Sequence, residues 1–437
     1  MNREDLIARF RTVRSTTERL MRALLPEDFR CQSMPDVSPP YWTLGHTSWF
    51  FLANVLRPQR LDVDGFAGFD FTFNSYYEGL GPRLPRAQRL LVAQPSTDSV
   101  WSYRRTIDAA MLELLAVATD HDLAEIAKIV TIGIEHEQQH QELFLTEILH
   151  IRWSAPTELR QAYAAASAKR THEPSPAALR PIAFAKASSQ LGHQGEGFCW
   201  DNELPAHATL VGDFALGDRL ITNAEWQAFV DDGGYQRPLL WLSNGWQAVQ
   251  QRGWQAPLYW QRIDEHWHRF TLRGLVAVHP DDPVCHVSFY EADAFARWYG
   301  EQFSAWQHAR LPRESEWEHA ARHSGAEREP ANLLDDGTNG ELGANALDVL
   351  PTSDRRGLRQ MLGDAWEWTQ SHYEPYPGYR PFPGALMEYN GKFMDNQRVL
   401  RGGSFATPRS QARLAYRNFW PPETRFQATS VRLLRDA

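Results

Sequence analysis

The sequence predicts two domains of different class: an all-α four-helix bundle at residues 1–165 and an α+β domain at residues 182–437. At 437 residues, the chain is longer than one hydrophobic core usually supports. The first half contains long amphipathic stretches, whereas the second contains short strand-like runs rich in glycine and tryptophan. Residues 166–181 are rich in alanine, serine and proline, which is typical of an interdomain linker.

Helical periodicity and capping residues place four helices in the first half. The first covers roughly residues 3–25, and the second covers 38–56 with a serine as its N-cap. The third begins at the N-cap Ser96 and ends near residue 119, and the fourth covers residues 122–151 without a proline. A long irregular stretch at 57–94 joins the second helix to the third, and loops of this length are commonly functional.

The second half lacks the regular alternation of strands and long helices that a doubly wound parallel sheet requires. Helices are predicted at residues 288–299 and 314–323, between short runs of strand character. Most of its tryptophans are expected to form the core. We therefore expect a compact, loop-rich α+β domain.

Composition restricts the classes of function. The chain is 43% hydrophobic and 12% aromatic, which indicates packed cores rather than disorder. A net charge of -9 and the lack of a basic run argue against a nucleic-acid partner. No signal peptide or membrane-spanning apolar run is found, and Cys31, Cys199 and Cys285 show no metal-site spacing. We expect a cytoplasmic protein with small-molecule substrates; its oligomeric state is left open.

Two histidines in the fourth predicted helix form the strongest motif. His136 and His140 are four residues apart, so both imidazoles project from one face and can share a metal ion. They lie on the apolar stripe, where a core would normally hold leucine, and Gly133 before them is expected to make room for a packed group. A hydrogen-bonded pair of core histidines is the alternative, but buried imidazoles without partners are unfavourable.

The same five residues match the HExxH pattern of zinc peptidases, so that class must be considered. Glu137 would then be the general base, and Glu158 is a candidate third ligand, although Pro156 interrupts the chain before it. This short pattern alone does not decide between the two classes.

His46 is the candidate third ligand in a bundle site. It lies with Trp42 and Trp49 on one side of the second predicted helix. Metal sites of four-helix bundles are built from side chains on facing helices. Three neutral histidines suit Zn, Fe, Ni or Cu, and spacing does not separate these metals.

Eight motifs, in order along nearly the whole chain, carry a specific resemblance. They are WTLGHT (42–47), FNSYYE (73–78), HEQQH (136–140), DNE (201–203), LPRESEWE (311–318), GDAWEWT (363–369), EYNGKFM (388–394) and VLRGGS (399–404). The first half resembles the DinB-like four-helix bundle. The second resembles the formylglycine-generating-enzyme, or sulfatase-modifying, domain, which is a variant of the C-type lectin fold. Together they resemble the ergothioneine-biosynthesis sulfoxide synthases, which are non-haem iron enzymes.

The resemblance implies a cofactor, a reaction and a set of residues. Fe(II) would be held by His46, His136 and His140, with O2 as co-substrate. The enzyme would join a sulfur donor to the imidazole C2 of Nα-trimethylhistidine (hercynine). The remaining assignments are the tyrosines Tyr76 and Tyr77 as proton or hydrogen donors, Gln139, Asn418 and Phe419 for hercynine, and Arg83 and Arg86 for a donor carboxylate.

A quaternary ammonium group prefers an aromatic face, which Tyr416, Phe419 or Trp420 would supply. A structural Ca2+ in the second domain is a further hypothesis that the sequence leaves open.

The chain departs from the family pattern near the expected substrate pocket. The family often has a cysteine where this chain has Phe405, and a histidine where it has Gln411. Because these changes alter size and polarity, we expect a donor other than cysteine. A selenosugar, which would give selenoneine as in a sister branch of the family, is the favoured donor; cysteine and γ-glutamylcysteine remain alternatives. Two further rival classes are a non-catalytic, lectin-like binding module and a formylglycine-type sulfatase modifier. The latter is disfavoured because the second half shows no obvious paired catalytic cysteines.

Overall fold

A computed structural model describes residues 2–90, 95–164, 178–328, 330–335, 347–352 and 357–437. The chain divides into two compact units. The described part of the first comprises residues 2–90, 95–164 and Phe382–Tyr389, and the remaining described residues form the second. A short segment from late in the chain therefore belongs to the helical unit.

The first unit is helical. Its helices are α1 (Arg3–Met21), α2 (Pro40–Phe51), α3 (Phe69–Phe73), α4 (Thr97–Val117) and α5 (Asp120–Ser154). A π-helical segment, Leu52–Leu56, continues α2, and short 3-10 turns accompany α3 in the stretch between α2 and α4. The four long helices match the predicted ones to within a few residues at their ends. The helix α3 was not predicted.

The start of α2 differs from the prediction. Pro39, not Ser38, is the N-cap residue, and Pro40 is the first residue of the helix. Ser38 is occupied elsewhere: its Oγ, the atom that would cap the helix, accepts from Nη1 of Arg89 at 2.8 Å, and its backbone N–H donates to Glu147 Oε1 on α5 at 2.9 Å. Contacts with distant segments thus replace the local cap that the sequence suggested.

Every residue of α2 is buried, because α2 packs against both α4 and α5. Gly133 permits the approach of α5: a Cβ at this position would lie 2.5 Å from Cε1 of Phe51 and 2.9 Å from Cε1 of Phe50. The expectation that Gly133 makes room for a packed group is confirmed. The two histidines of α5 begin one turn after this contact.

The second unit is an α+β domain, as predicted. It contains β1 (Pro181–Phe184), β2 (Ala187–Leu191), β3 (His207–Val211), β4 (Phe214–Gly217), α6 (Asn223–Asp231), α7 (Ser243–Arg252), β5 (Trp260–Ile263), β6 (His266–Thr271), β7 (Gly274–Ala277), α8 (Phe289–Gln302), α9 (Glu314–Ser324), β8 (Trp366–His372), β9 (Arg398–Arg401), β10 (Asn418–Trp420), β11 (Thr429–Ser430) and β12 (Leu434–Asp436). The strands form four small sheets, in the orders β1-β4-β12, β10-β9-β8-β11, β2-β3 and β5-β6-β7. All pairs are antiparallel except β11 with β8.

Buried tryptophans and paired charges hold this domain together. Trp317 on α9 is fully buried, and its indole N–H donates to Glu367 on β8 at 2.8 Å. The guanidinium of Arg432 donates to both oxygens of the same carboxylate at 2.8 Å. The buried charges of Glu367 and Arg432 are tolerated because the two groups pair with each other. All three cysteines are unpaired.

Among the described residues, we find no helix with the length and apolar character needed to cross a membrane.

Candidate metal centre

Three histidines from two helices come together inside the helical unit. His46 lies on α2, and His136 and His140 lie one turn apart on α5. One ligand atom from each residue lies within 4.8 Å of those of the other two. Within the part of the chain that the structure describes, no other group of three or more histidine, cysteine or acidic side chains meets this condition. The calcium hypothesis therefore stays a prediction.

The spacing of the ring nitrogens suits a shared ion. Nε2 of His46 lies 3.1 Å from Nε2 of His136. Imidazole nitrogens bind first-row metals at about 2.1 Å, so two ligands of one ion lie roughly 3 Å apart. Nδ1 of His136 is buried and has no hydrogen-bond partner among the described residues. The 3.1 Å contact also fits a hydrogen bond between the two rings, but such a pair does not account for the third imidazole, His140, which converges on the same point and favours a shared ion.

Backbone and aromatic contacts orient His46. Its Nδ1 lies 2.7 Å from the carbonyl oxygen of Phe73, and because a carbonyl only accepts, Nδ1 carries the proton. Nε2 is therefore left with its lone pair, as a metal ligand requires. The His46 ring stacks on the ring of Trp42, with 4.5 Å between centroids, and on the ring of Trp49, with 6.0 Å between centroids.

Gly45 permits the hydrogen bond between His46 and Phe73. A Cβ at Gly45 would lie 2.2 Å from Cε1 of Phe73, which is closer than any side chain tolerates. Without a side chain here, the segment of α3 approaches α2 closely enough for its last carbonyl to meet the imidazole.

All three imidazoles are neutral at physiological pH. Burial lowers the pKa of His136 to about 3. Burial and the neighbouring His136 lower the pKa of His46 well below its usual range, and the same causes act on His140. Neutral imidazole is the form that binds metal ions.

The side chain of Glu137 is turned away from the histidines, and both of its carboxylate oxygens accept hydrogen bonds from other side chains. Its Oε1 accepts from Thr17 at 2.6 Å and from Arg104 at 2.8 Å, and its Oε2 accepts from Arg14 at 2.7 Å. Burial by itself would raise the pKa of this carboxyl, but the two guanidinium groups outweigh it and hold the pKa at about 2. Glu158, the other carboxylate of the peptidase hypothesis, is exposed and lies outside the histidine group.

Aromatic side chains form a closed circle of ring contacts with two of the histidines. From His46 it passes to Trp49 (6.0 Å between centroids), then to Tyr77 (5.8 Å), Tyr76 (4.7 Å), Tyr389 (6.1 Å) and His136 (5.7 Å), and back to His46 (4.8 Å). We call these six residues the aromatic circle. Both tyrosines predicted from the sequence belong to it.

The two predicted tyrosines differ in exposure. Tyr77 is fully buried, and burial together with Tyr76 raises its pKa well above the usual range. Tyr76 is half-buried, and its ring packs between Tyr77 and Tyr389. The structure brings both into the surroundings of the histidines.

Tyr389 is a site residue that the sequence reasoning missed. Its hydroxyl donates to Oε1 of Gln139, which lies between the two histidines of α5. The segment carrying it is held by Glu388, whose carboxylate accepts from the backbone N–H groups of Glu78 and Gly79 at 3.1 and 2.9 Å. The motif at 388–394 was the available signal, but no local pattern linked it to α5.

The two predicted donor-binding arginines lie on the loop after Tyr77. Arg83 is partly exposed and donates to Glu78 at 2.7 Å. Arg86 is exposed at the start of a 3-10 turn. Both charges are accessible, but their role is untested and stays a prediction.

The remaining predicted residues lie in the second unit. Phe405 is buried, and Tyr416 packs edge-on against Trp366 at 5.4 Å. Asn418, Phe419 and Trp420 form the edge strand β10 and are half-buried. Tyr373 stacks on Phe419 at 3.9 Å, so one face of that ring is already covered. Their assignment to hercynine stays a prediction.

Both halves of the chain match known families. Residues 182–437 match the family described as Sulfatase-modifying factor enzyme 1-like domain, and residues 9–144 match the DinB superfamily. The chain is 33% identical over 428 residues to the hercynine oxygenase of Mycobacterium tuberculosis, covering 93% of each chain. It is 31% identical to the hercynine oxygenase of Mycolicibacterium smegmatis over an alignment of 467 positions that covers 99% of each chain. It is 29% identical to the formylglycine-generating enzyme of Streptomyces coelicolor over an alignment of 291 positions that covers 56% of this chain and 86% of that one.

Proposed function

We propose that this chain, which belongs to the hercynine oxygenase family, is an iron(II)- and O2-dependent oxidoreductase that joins a sulfur or selenium donor to C2 of hercynine. The family inferred from the eight motifs is confirmed, as are its two parts, the DinB-like bundle and the sulfatase-modifying domain. The observation that carries the proposal is the convergence of three neutral histidines from α2 and α5, of which His46 and His136 are buried and His140 is half-buried.

The histidine group fits iron(II). His46, His136 and His140 would hold the ion, and three neutral nitrogen ligands leave further positions open on a six-coordinate metal. Bound iron would supply the O2 chemistry and a site for a soft sulfur or selenium atom. The protein's own contribution is to fix the ring orientations, through the Phe73 carbonyl and the stacked tryptophans.

The peptidase alternative lacks its general base. Glu137 would have to face the metal and exchange protons with water, but its oxygens are bound by Arg14, Arg104 and Thr17. A carboxylate held at a pKa of about 2 is also a poor base near neutral pH. The lectin-like alternative gives no reason for three unprotonated imidazoles to converge.

The tyrosines of the aromatic circle are the proposed proton donors. Tyr77 keeps its proton at neutral pH because its pKa is raised, and a protonated phenol can donate at Oη. Tyr389 is the additional candidate, because its ring lies 5.7 Å from that of His136 and its hydroxyl already donates to Gln139. We assign Gln139 to the hercynine imidazole, with Tyr389 holding its amide in place.

We propose a selenosugar as the donor, with cysteine and γ-glutamylcysteine as competitors. The support is the departure at Phe405 and Gln411, both of which are buried in this structure. The hydroxyl of Tyr416 donates to Gln411 Oε1 at 3.2 Å, so this amide is part of a fixed contact. The charges of Arg83 and Arg86 would favour γ-glutamylcysteine, which carries carboxylates.

The test is anaerobic reconstitution with iron(II), followed by O2 uptake with hercynine and each donor in turn. Mass spectrometry then identifies the products. Uptake coupled to a C–Se product with the selenosugar, and lost in His136→Ala, supports the proposal. A C–S product alone would retain the enzyme class and reject the selenosugar. Zinc-dependent peptide cleavage without O2 uptake would reject the proposal as a whole.

A further inference from the structure

Arg89 is a buried cation that forms no ion pair with an acidic side chain among the described residues. Its side chain is 1% exposed. Nη1 donates to Ser38 Oγ at 2.8 Å and Nη2 to Ser75 Oγ at 3.2 Å, and within the described residues these hydroxyls are the only groups that accept from it. A buried charge without a counter-ion is unfavourable, so the presence of an arginine at this position needs an explanation.

The guanidinium of Arg89 lies against Trp42, the tryptophan whose ring stacks on His46. Its Cζ is 3.2 Å from the centroid of the Trp42 ring. Trp42 also stacks on His46, whose ring lies 4.5 Å away and within 14° of parallel, and the Trp42 ring lies 6.3 Å from that of His140. Arg89, Trp42 and His46 thus form one column, which we call the cation stack. Only an indole separates the positive charge from a proposed metal ligand.

Arg30 provides an internal comparison. Its Cζ lies 3.9 Å from the centroid of the Tyr41 ring, which is also a cation–π contact. Tyr41 contacts Phe73 and not a histidine among the ring contacts of the described residues. Arg30 also bonds the carbonyl of Pro95 at 2.8 Å. The two arginines thus make similar contacts, but only one stacks towards the metal centre.

We infer that Arg89 is a positioning residue that favours the ferrous over the ferric state of the bound ion. The inference rests on the proposed iron function. A fixed positive charge in a region of low dielectric opposes the gain of further positive charge nearby, and water screens it little because it is buried. Its bonds to Ser38 and Ser75 also fix the column against α2 and against the segment that carries Tyr76.

Potentiometric titration of the iron-loaded protein tests this. The variants are Arg89→Lys, which keeps the charge, and Arg89→Gln and Arg89→Met, which remove it; Arg30→Met is the matched control. In both neutral variants we expect the Fe(III)/Fe(II) ratio at a fixed potential to rise about tenfold, which is about 59 mV for a one-electron couple. Arg89→Lys and Arg30→Met should stay near the wild type.

A second measurement distinguishes an effect of the Arg89 charge from a change in the geometry of the metal site. The visible spectrum of the Co(II)-substituted protein reports on ligand arrangement, and it should be unchanged in Arg89→Gln. An altered cobalt spectrum with an unaltered iron potential would mean that Arg89 only shapes the site, and it would overturn the inference. An unaltered potential in iron-binding Arg89→Gln would also overturn it, whereas wild-type protein that binds no iron would reject the proposed function instead.

A substitution of Glu147 tests the same inference without altering Arg89. Burial lowers the pKa of Arg89, whereas the nearby Glu147 carboxylate raises it, and Glu147 shares Ser38 with Arg89 as a hydrogen-bond partner. Glu147→Gln removes negative charge, so at pH 8 we expect the potential to shift in the opposite direction, upward. A downward shift or no shift, in a folded and iron-loaded variant, contradicts an electrostatic role for this cluster.

Discussion

Two sides of helix α5 show two uses of buried polar groups. His136 and Glu137 are neighbours in sequence and are 2% and 0% exposed, but they face opposite surroundings. On the glutamate side, both oxygens are bound by Arg14, Arg104 and Thr17. On the histidine side, ring nitrogens converge on one point without any acidic partner in contact with them among the described residues.

The difference separates structure from function. A polar group whose partners are all supplied by the protein has nothing left to bind, so the Glu137 network holds α5 in place against α1 and α4. Polar atoms left incomplete in a buried site need a ligand from outside. The complete network fixes the rotation of the helix, and this rotation directs His136 and His140 towards His46.

The largest effect is expected for His136→Ala. Removing one of three ligands should weaken iron(II) binding about 100-fold or more, since even altered support of a ligand costs up to that much. Isothermal titration calorimetry under anaerobic conditions measures the affinity for iron(II). His150→Ala is the matched control, because His150 also lies on α5 but bonds Ser33 at 2.7 Å instead of joining the group. Equal metal affinity in both variants would contradict the assignment.

Glu137→Gln should affect stability rather than metal content. The pKa of Glu137 is about 2 in the folded protein against a usual 4.5, so its charge stabilises the fold above pH 4.5 and this contribution is lost as pH falls towards 2. We expect a loss of about 3 kcal/mol in the free energy of unfolding at pH 7. The difference from wild type should shrink below pH 4.5.

Urea unfolding at several pH values measures this loss, with iron content determined in parallel. Glu125→Gln is the control: it lies on the same helix and pairs with Lys128 at 2.8 Å, but it is exposed, so no measurable change is expected. Loss of iron from a folded Glu137→Gln protein would show that the two sides of α5 are not separate in function.

Gly45→Ala should damage the histidine side through packing. The added methyl group would meet the ring of Phe73, so α3 must move, at a cost of about 1–3 kcal/mol. We also expect weaker iron binding, because the Phe73 carbonyl then leaves His46. In Gly133→Ala the added methyl group clashes with Phe51 and Phe50, neither of which forms a hydrogen bond with His46. We therefore expect a comparable loss of stability but a smaller loss of iron binding than in Gly45→Ala. Similar iron binding in both variants would contradict the role of the carbonyl.

Tyr389→Phe should have the smallest effect on stability. It removes one hydroxyl that donates to Gln139, and a hydrogen bond of this kind contributes about 1 kcal/mol. Iron affinity should be unchanged, whereas kcat for hercynine turnover should fall. Gln139→Leu should mainly raise KM for hercynine if the amide binds the substrate. Unchanged kinetics in both would remove these residues from the site.

Much of the helical unit follows from local pattern. Apolar periodicity located the four long helices, and Ser96 capped α4 as predicted. The four-residue spacing placed His136 and His140 on one face, and Gly133 marked a close helix contact. Each of these depends on residues within a few turns of each other, where spacing alone dictates which side chains share a face.

The sequence by itself thus determined the two-part architecture, the histidine pair and, by its motifs, the family. Only the tertiary structure decided that Glu137 is bound by arginines of α1 and α4, that Phe73 orients His46, and that Tyr389 belongs to the helical unit. Tyr389 and Gln139 are 250 positions apart. Local periodicity carries no information about such pairs, because they form only when packing brings distant segments together.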